Sequence, residues 1–131
     1  MRDLIGTTIM QYEILEFLGR GAMGAVYKAL DTQLNTYRAL KFILPGHASA
    51  PEARTSLQKE AHNQSKLIHQ NIAAILGYNE SEAGCFLVME YIQGTTLDAL
   101  ILSDTLSVSE RMQVILQVTY AIEAAHRAGL L

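Results

Sequence analysis

The sequence predicts an α+β fold in which a small antiparallel sheet forms first and helices follow. Three observations predict it: five strand-like runs set apart by short polar turns, a helix-start signal between the third and fourth runs, and a second such signal after the fifth. Residues 1–10 read as a lead. Gln11 to Leu18 is the first strand, in which Tyr12, Ile14, Leu15, Phe17 and Leu18 alternate only imperfectly. Gly19, Gly21 and Gly24 come next and carry no Cβ, so the backbone there can turn sharply and lie close over a bulky guest. A row of phosphates suits such a loop. Ala25 to Ala29 is rich in β-branched and aromatic residues and leads into a polar turn, Asp31 to Thr36, which together read as a hairpin. A dinucleotide-binding fold would instead open a helix at the third glycine and place an acidic residue about 20 positions later.

The third strand, Tyr37 to Ile43, carries a lysine between apolar neighbours. Strand alternation puts Ala39 and Lys41 on one face, the small residue leaving room for a flat ring and the amine reaching past it. After a loop from Pro45 to Ala50, Ser49 and Glu52 stand at capping-box spacing, with Pro51 tolerated in the first turn of the helix they begin. Leu57, Ala61 and Ile68 share one side of that helix, and Glu60 falls near the buried edge. For an arbitrary helix, an exposed glutamate beside Lys59 and Lys66 is the plainer reading. Two more strands, Ala73 to Tyr78 and Cys85 to Glu90, flank an acidic turn containing Asn79 and Gly84. Gly94 to Ser103 reads as a short helix. Ser107 and Glu110 then form a second capping pair, and Val114, Ile115, Val118, Ile122 and Ala125 repeat at helical spacing, the pattern of a core stripe.

Composition narrows the function classes. The 131 residues carry a net charge of -3, which offers nucleic acid no basic surface. No apolar run approaches the roughly 20 residues of a membrane helix, and no signal peptide is read before the first strand. The single Cys85 fits a reducing compartment and reads as a packing residue, having no basic neighbour. His47, His62, His69 and His126 lack metal-ligand spacing, and His69 is expected to bond nearby backbone. Half the residues are hydrophobic and 18% are charged, which is apolar enough to suggest a neighbour.

Three glycines, Val26 two residues after them, and Arg38-Ala39-Leu40-Lys41 on the following strand resemble the protein-kinase ATP site, GxGxxGxV followed by VAIK. His69-Gln70-Asn71-Ile72 is similar to the His-Pro-Asn-Ile that follows the same helix in that family, with glutamine for proline. Phe86 to Gly94 resembles the kinase hinge, and Ala121 to Leu131 the end of the long large-lobe helix in bacterial serine/threonine members, where His-Arg-Asp follows. The resemblance implies a small lobe over residues 11–90, a five-stranded antiparallel sheet plus one helix, with a hinge at 91–94. Residues 95–131 would then hold the first two helices of a large lobe.

The same resemblance implies an ATP-holding set of Leu18, Gly19, Gly21, Gly24, Val26, Ala39, Lys41, Glu60, Met89, Glu90 and Ile92. Glu60 would pair with Lys41 and aim its amine at the α- and β-phosphates. Met89 would be the gatekeeper behind the adenine, whose edge the Glu90 carbonyl and Ile92 amide would bond. Thr96 rather than Asp98 falls at the ribose-contact position, and Gln64 stands where the family favours an apolar residue. The catalytic aspartate, and the asparagine and DFG aspartate that hold magnesium, lie beyond residue 131 in the family layout. The expectation is therefore the N-terminal, ATP-binding part of a cytoplasmic kinase for protein serine and threonine, inactive alone, with no catalytic residue or magnesium ligand of its own. The apolar helix stripe is expected to be sticky, mobile or covered by a protein partner. The alternative is a non-catalytic, kinase-like nucleotide-binding or regulatory module.

Overall fold

The computed structural model describes residues 3–21, 24–43 and 51–130. Among the described residues nine elements follow in order: β1 (Thr8–Ile9), β2 (Tyr12–Gly21), β3 (Gly24–Asp31), β4 (Thr36–Ile43), α1 (Pro51–Ser65), β5 (Ile75–Ser81), β6 (Gly84–Glu90), α2 (Leu97–Ser103) and α3 (Val108–Arg127). The expected helix start at Ser49, together with His47 and Met23, lies outside the described residues.

Six strands form one sheet in the order β1-β2-β3-β4-β6-β5, every neighbouring pair antiparallel. This is the expected five-stranded sheet with a two-residue edge strand added from the lead, where Thr8 and Ile9 pair with Glu13 and Tyr12. The imperfect alternation of β2 has a structural cause. Register shifts between Ile14 and Glu16, and between Phe17 and Gly19, bulge Leu15 and Leu18 out of the ladder and leave both exposed.

One sheet face carries the core: Tyr12 and Ile14 from β2, Ala25, Tyr27 and Ala29 from β3, Leu40 and Phe42 from β4, and Phe86 and Val88 from β6. The β3–β4 hairpin is closed by the buried carboxylate of Asp31, whose Oδ1 accepts the amides of Gln33 at 3.0 Å and Leu34 at 3.2 Å. Asp31→Ala would leave both amides without that acceptor. The expected loss, measured by chemical denaturation, is about 1–3 kcal/mol.

α1 packs on the other face near β5, with Leu57 against Ile43, Cys85 and Tyr78. Cys85 is buried there as a packing residue. Burial, followed by Cys85 and Glu80 beside it, pushes the Tyr78 hydroxyl well above its usual range, and that hydroxyl donates to Glu80 at 3.0 Å. α1 ends at Ser65, three residues short of Ile68. Leu67 donates back to the Gln64 carbonyl in a tight turn, and Ile68 is 89% exposed instead of sharing the packed side. The loop beyond confirms one detail of the sequence reading, since His69 Nδ1 accepts the Asn71 amide at 3.0 Å.

α2 starts at Leu97, later than the expected Gly94, and stops where Asp104 takes a left-handed conformation. α3 begins with the capping box the sequence indicated. Ser107 Oγ accepts the Glu110 amide and Glu110 accepts the Ser107 amide. The Ser107 hydroxyl, and then its amide, hold the Glu110 carboxyl below its usual range. The helical stripe on α3 is not a core within this chain. Ala125 is buried, but Ile115 is 62% and Ile122 43% exposed, and among the described residues only Asn71, donating to the Gln117 carbonyl at 3.1 Å, ties α3 to the loop after α1 by hydrogen bonding.

Candidate functional site

Antiparallel pairing aligns the candidate residues more tightly than their spacing in the sequence suggests. Residues directly opposite in such a ladder point to the same side. Gly19, Val26, Lys41 and Leu87 form one cross-strand row, and Glu16, Lys28, Ala39 and Met89 form the next. Five of the predicted residues, Gly19, Val26, Ala39, Lys41 and Met89, therefore share the sheet face opposite the aromatic core. Ala39 is buried within this face, whereas Val26, Lys41 and Met89 are half-buried.

The three glycines divide by the job their missing Cβ does. A Cβ on Gly24 would lie 1.6 Å from the Phe42 carbonyl oxygen, so this glycine serves the close approach of β3 to β4. A Cβ on Gly19 or Gly21 would meet nothing within 4 Å, and neither residue has a positive φ. Neither the protein's packing nor its backbone conformation demands glycine at those two positions. Both extend β2 in register with β3, Gly19 opposite Val26 and Gly21 opposite Gly24, so the glycine segment is a strand end rather than a strand-to-helix turn. β3 removes the dinucleotide reading, which needs a helix from Ala25.

The stretch expected to be the hinge follows a residue tied to the loop before β5. Glu90 donates its amide to the Ala74 carbonyl at 2.9 Å, and its Oε2 accepts the Ala74 amide at 3.1 Å. Beyond it, Ile92 is 61% exposed, and its amide makes no hydrogen bond among the described residues. Leu18 stands exposed at the second bulge of β2. Thr96 makes no cap bond to α2. Its hydroxyl beside Asp98 is the largest of the influences that hold that carboxyl below its usual range.

Glu60 does not join this group. The expected pair with Lys41 is not formed: among the described residues the ion pairs are Arg54–Glu80, Arg111–Asp104 and Arg127–Glu123. Glu60 is exposed and accepts instead from Gln64 Nε2 at 3.2 Å, one turn along α1. The physical reason is the rotation of α1. Leu57 and Ala61 occupy the packed side, and Glu60 then faces water. Among the described residues no three carboxylate, histidine or cysteine side chains gather as metal ligands.

Sequence reasoning missed Lys28 and the two tyrosines around it. Lys28 Nζ lies 4.4 Å from the ring centroid of Tyr37 and 4.9 Å from that of Tyr91. A lysine and a tyrosine on adjacent strands give a detectable signal only once the register is known.

Comparison with known proteins matches residues 12–131 to the protein kinase domain. The serine/threonine-protein kinase PknD of Mycobacterium tuberculosis is 34% identical over 127 residues, covering 96% of this chain and 19% of that protein. PrkC of Bacillus subtilis is likewise 34% identical over 126 residues, covering 95% and 19%. The crystal structure of the Mycobacterium tuberculosis PknI kinase domain superposes with a TM-score of 0.77 at 28% identity, over 96% of this chain and 52% of that one. The chain thus spans about a fifth of the curated relatives it matches and about half of the solved kinase domain.

Proposed function

Because the chain belongs to the protein kinase domain family, we propose that it is the nucleotide-holding part of a serine/threonine protein kinase, acting on ATP in the cytoplasm. In this reading residues 11–90 are the small lobe, 91–94 the hinge and 95–131 the start of the large lobe. The observation that carries the reading is the shared face of Gly19, Val26, Ala39, Lys41 and Met89, which ends near the Ile92 amide, without a hydrogen bond among the described residues. A flat base would lie against Ala39 and Val26, with Met89 behind it and its edge bonded by the Glu90 carbonyl and Ile92 amide. Two backbone groups suffice for that, because fixed and opposed hydrogen-bonding groups read a base edge without a particular side chain. Open space over Gly19 and Gly21 leaves room for phosphates near the Lys41 amine.

Phosphoryl transfer asks for more. The reaction needs carboxylates to hold metal and orient the acceptor hydroxyl, and the described residues gather no such group. The proposed state of this chain is weak ATP binding without phosphoryl transfer to protein serine or threonine. Isothermal titration with Mg-ATP is expected to give a dissociation constant weaker than micromolar, and radiolabelled ATP to leave the purified chain unlabelled. Micromolar affinity or robust autophosphorylation would overturn the reading.

A non-catalytic regulatory module is the second reading, and the open Lys41–Glu60 pair favours it. Such a module holds no need to close that pair, and a protein partner on the exposed stripe of α3 would be its means of action. Recovery of a stable complex with a kinase that keeps its own catalytic residues would select this reading.

A further inference from the structure

We propose that Lys28 is a positioning residue for the hinge, holding Tyr91 against Tyr37 so that the Ile92 amide is set before a nucleotide arrives. This rests on the nucleotide reading above and adds to it a residue outside the glycine, lysine and hinge-backbone set.

The geometry is specific. Lys28 sits on β3 directly opposite Ala39 on β4, and Ala39 is opposite Met89 on β6. Tyr37 lies two residues before Ala39 on the same face, and Tyr91 two residues after Met89, just past the end of β6. The Lys28 ammonium meets both rings, whose centroids are 6.2 Å apart at 66°. One cation therefore bridges the β3–β4 hairpin and the first hinge residue.

Competing partners for that cation are few. Glu16 is opposite Lys28 in register, yet no ion pair joins them. The neighbouring Arg38 turns its Nη1 to the Tyr37 carbonyl at 3.4 Å. Beside the edge-on contact between the Tyr37 and Tyr91 rings, attraction between the Lys28 cation and the negative face of the ring is the interaction that holds Tyr91. Glu90, one residue earlier, is already tied to Ala74 on the opposite side. Ile92 follows both anchors and makes no hydrogen bond among the described residues, so its placement depends on theirs.

The test uses the 131-residue chain, labelled with nitrogen-15, as wild type, Lys28→Met and Lys28→Arg. Methionine keeps an unbranched stem and removes the charge, and arginine restores a cation that stacks on rings. In the chain without nucleotide, Lys28→Met is expected to lower the Ile92 amide order parameter from about 0.85 to below about 0.6, while β3 and β4 keep theirs. Lys28→Arg should restore it. In a titration, Lys28→Met should weaken adenosine binding about five-fold, the scale of one cation–π contact, and leave tripolyphosphate binding unchanged. An unchanged Ile92 in Lys28→Met, failure of Lys28→Arg to rescue, or an equal loss of order in β3 would each overturn the proposal. If Ile92 loosens as expected but no variant binds adenosine, the hinge role stands and the nucleotide reading falls.

Discussion

Gly24→Ala is expected to cost the fold more than any other single methyl group added to this chain, with a loss of about 4 kcal/mol or more in chemical denaturation. The added Cβ would lie 1.6 Å from the Phe42 carbonyl oxygen and 2.8 Å from its carbon, distances that no rotamer change relieves because both atoms are backbone. Relief requires β3 to lift from β4 at the pairs Gly24–Ile43 and Ala25–Phe42, next to the fully buried Leu40. Gly19→Ala and Gly21→Ala should behave in the opposite way. Each has open space and no positive φ, so alanine would change stability by at most about 1 kcal/mol, through restriction of the unfolded chain. Their cost should fall on nucleotide binding, since a methyl group there stands where phosphates would approach. A Gly24→Ala melt within a few degrees of wild type would show that the hairpin yields at this point and would remove the division of labour among the glycines.

That division shows what the sequence could and could not reveal. GxGxxG spacing marks three positions at which a Cβ is unwelcome, but one letter serves two causes, a neighbouring strand at Gly24 and an open face at Gly19 and Gly21. The strand runs and the start of α3 were legible because they depend on local signals: β-branched and aromatic runs, the Asp31 turn, and the Ser107–Glu110 capping box. The rotation of α1 was not legible. Whether Glu60 faces Lys41 or water depends on which side of the helix docks on β5, a choice between two weakly apolar faces that periodicity barely separates. The stripe on α3 was legible as apolar, but whether a stripe is covered is a property of its neighbours. The contact of Lys28 with Tyr37 and Tyr91 depends on register across three strands and on a residue far away in sequence, and no pattern within one segment encodes it.

Phe86→Ala should be the most damaging truncation in the core, at about 3–5 kcal/mol by denaturant unfolding. Phe86 is fully buried and stands at the crossing of the aromatic packing. Its ring lies 5.0 Å from Phe42 and edge-on to Tyr12 at 6.0 Å, while Phe42 is edge-on to Tyr27 and Tyr27 to Phe17. These five rings connect β2, β3, β4 and β6 on the face opposite Lys41, so removing Phe86 empties the centre of the layer that keeps the other face flat. A typical domain holds only about 5–15 kcal/mol in all, so this one truncation would bring the sheet near its unfolding limit. A double-mutant cycle of Phe86→Leu with Phe42→Leu separates packing from ring-ring attraction. A coupling of about 0.5–1.5 kcal/mol is expected if the rings attract beyond their buried area, and strict additivity would mean that area alone explains them. Because Leu87 lies in the row with Lys41 and Phe86 beside it points the other way, Phe86→Leu should also leave nucleotide affinity within about two-fold of wild type while lowering stability. Loss of both together would mean that the two faces of the sheet do not act independently, and that the aromatic layer itself sets the spacing of the rows above it.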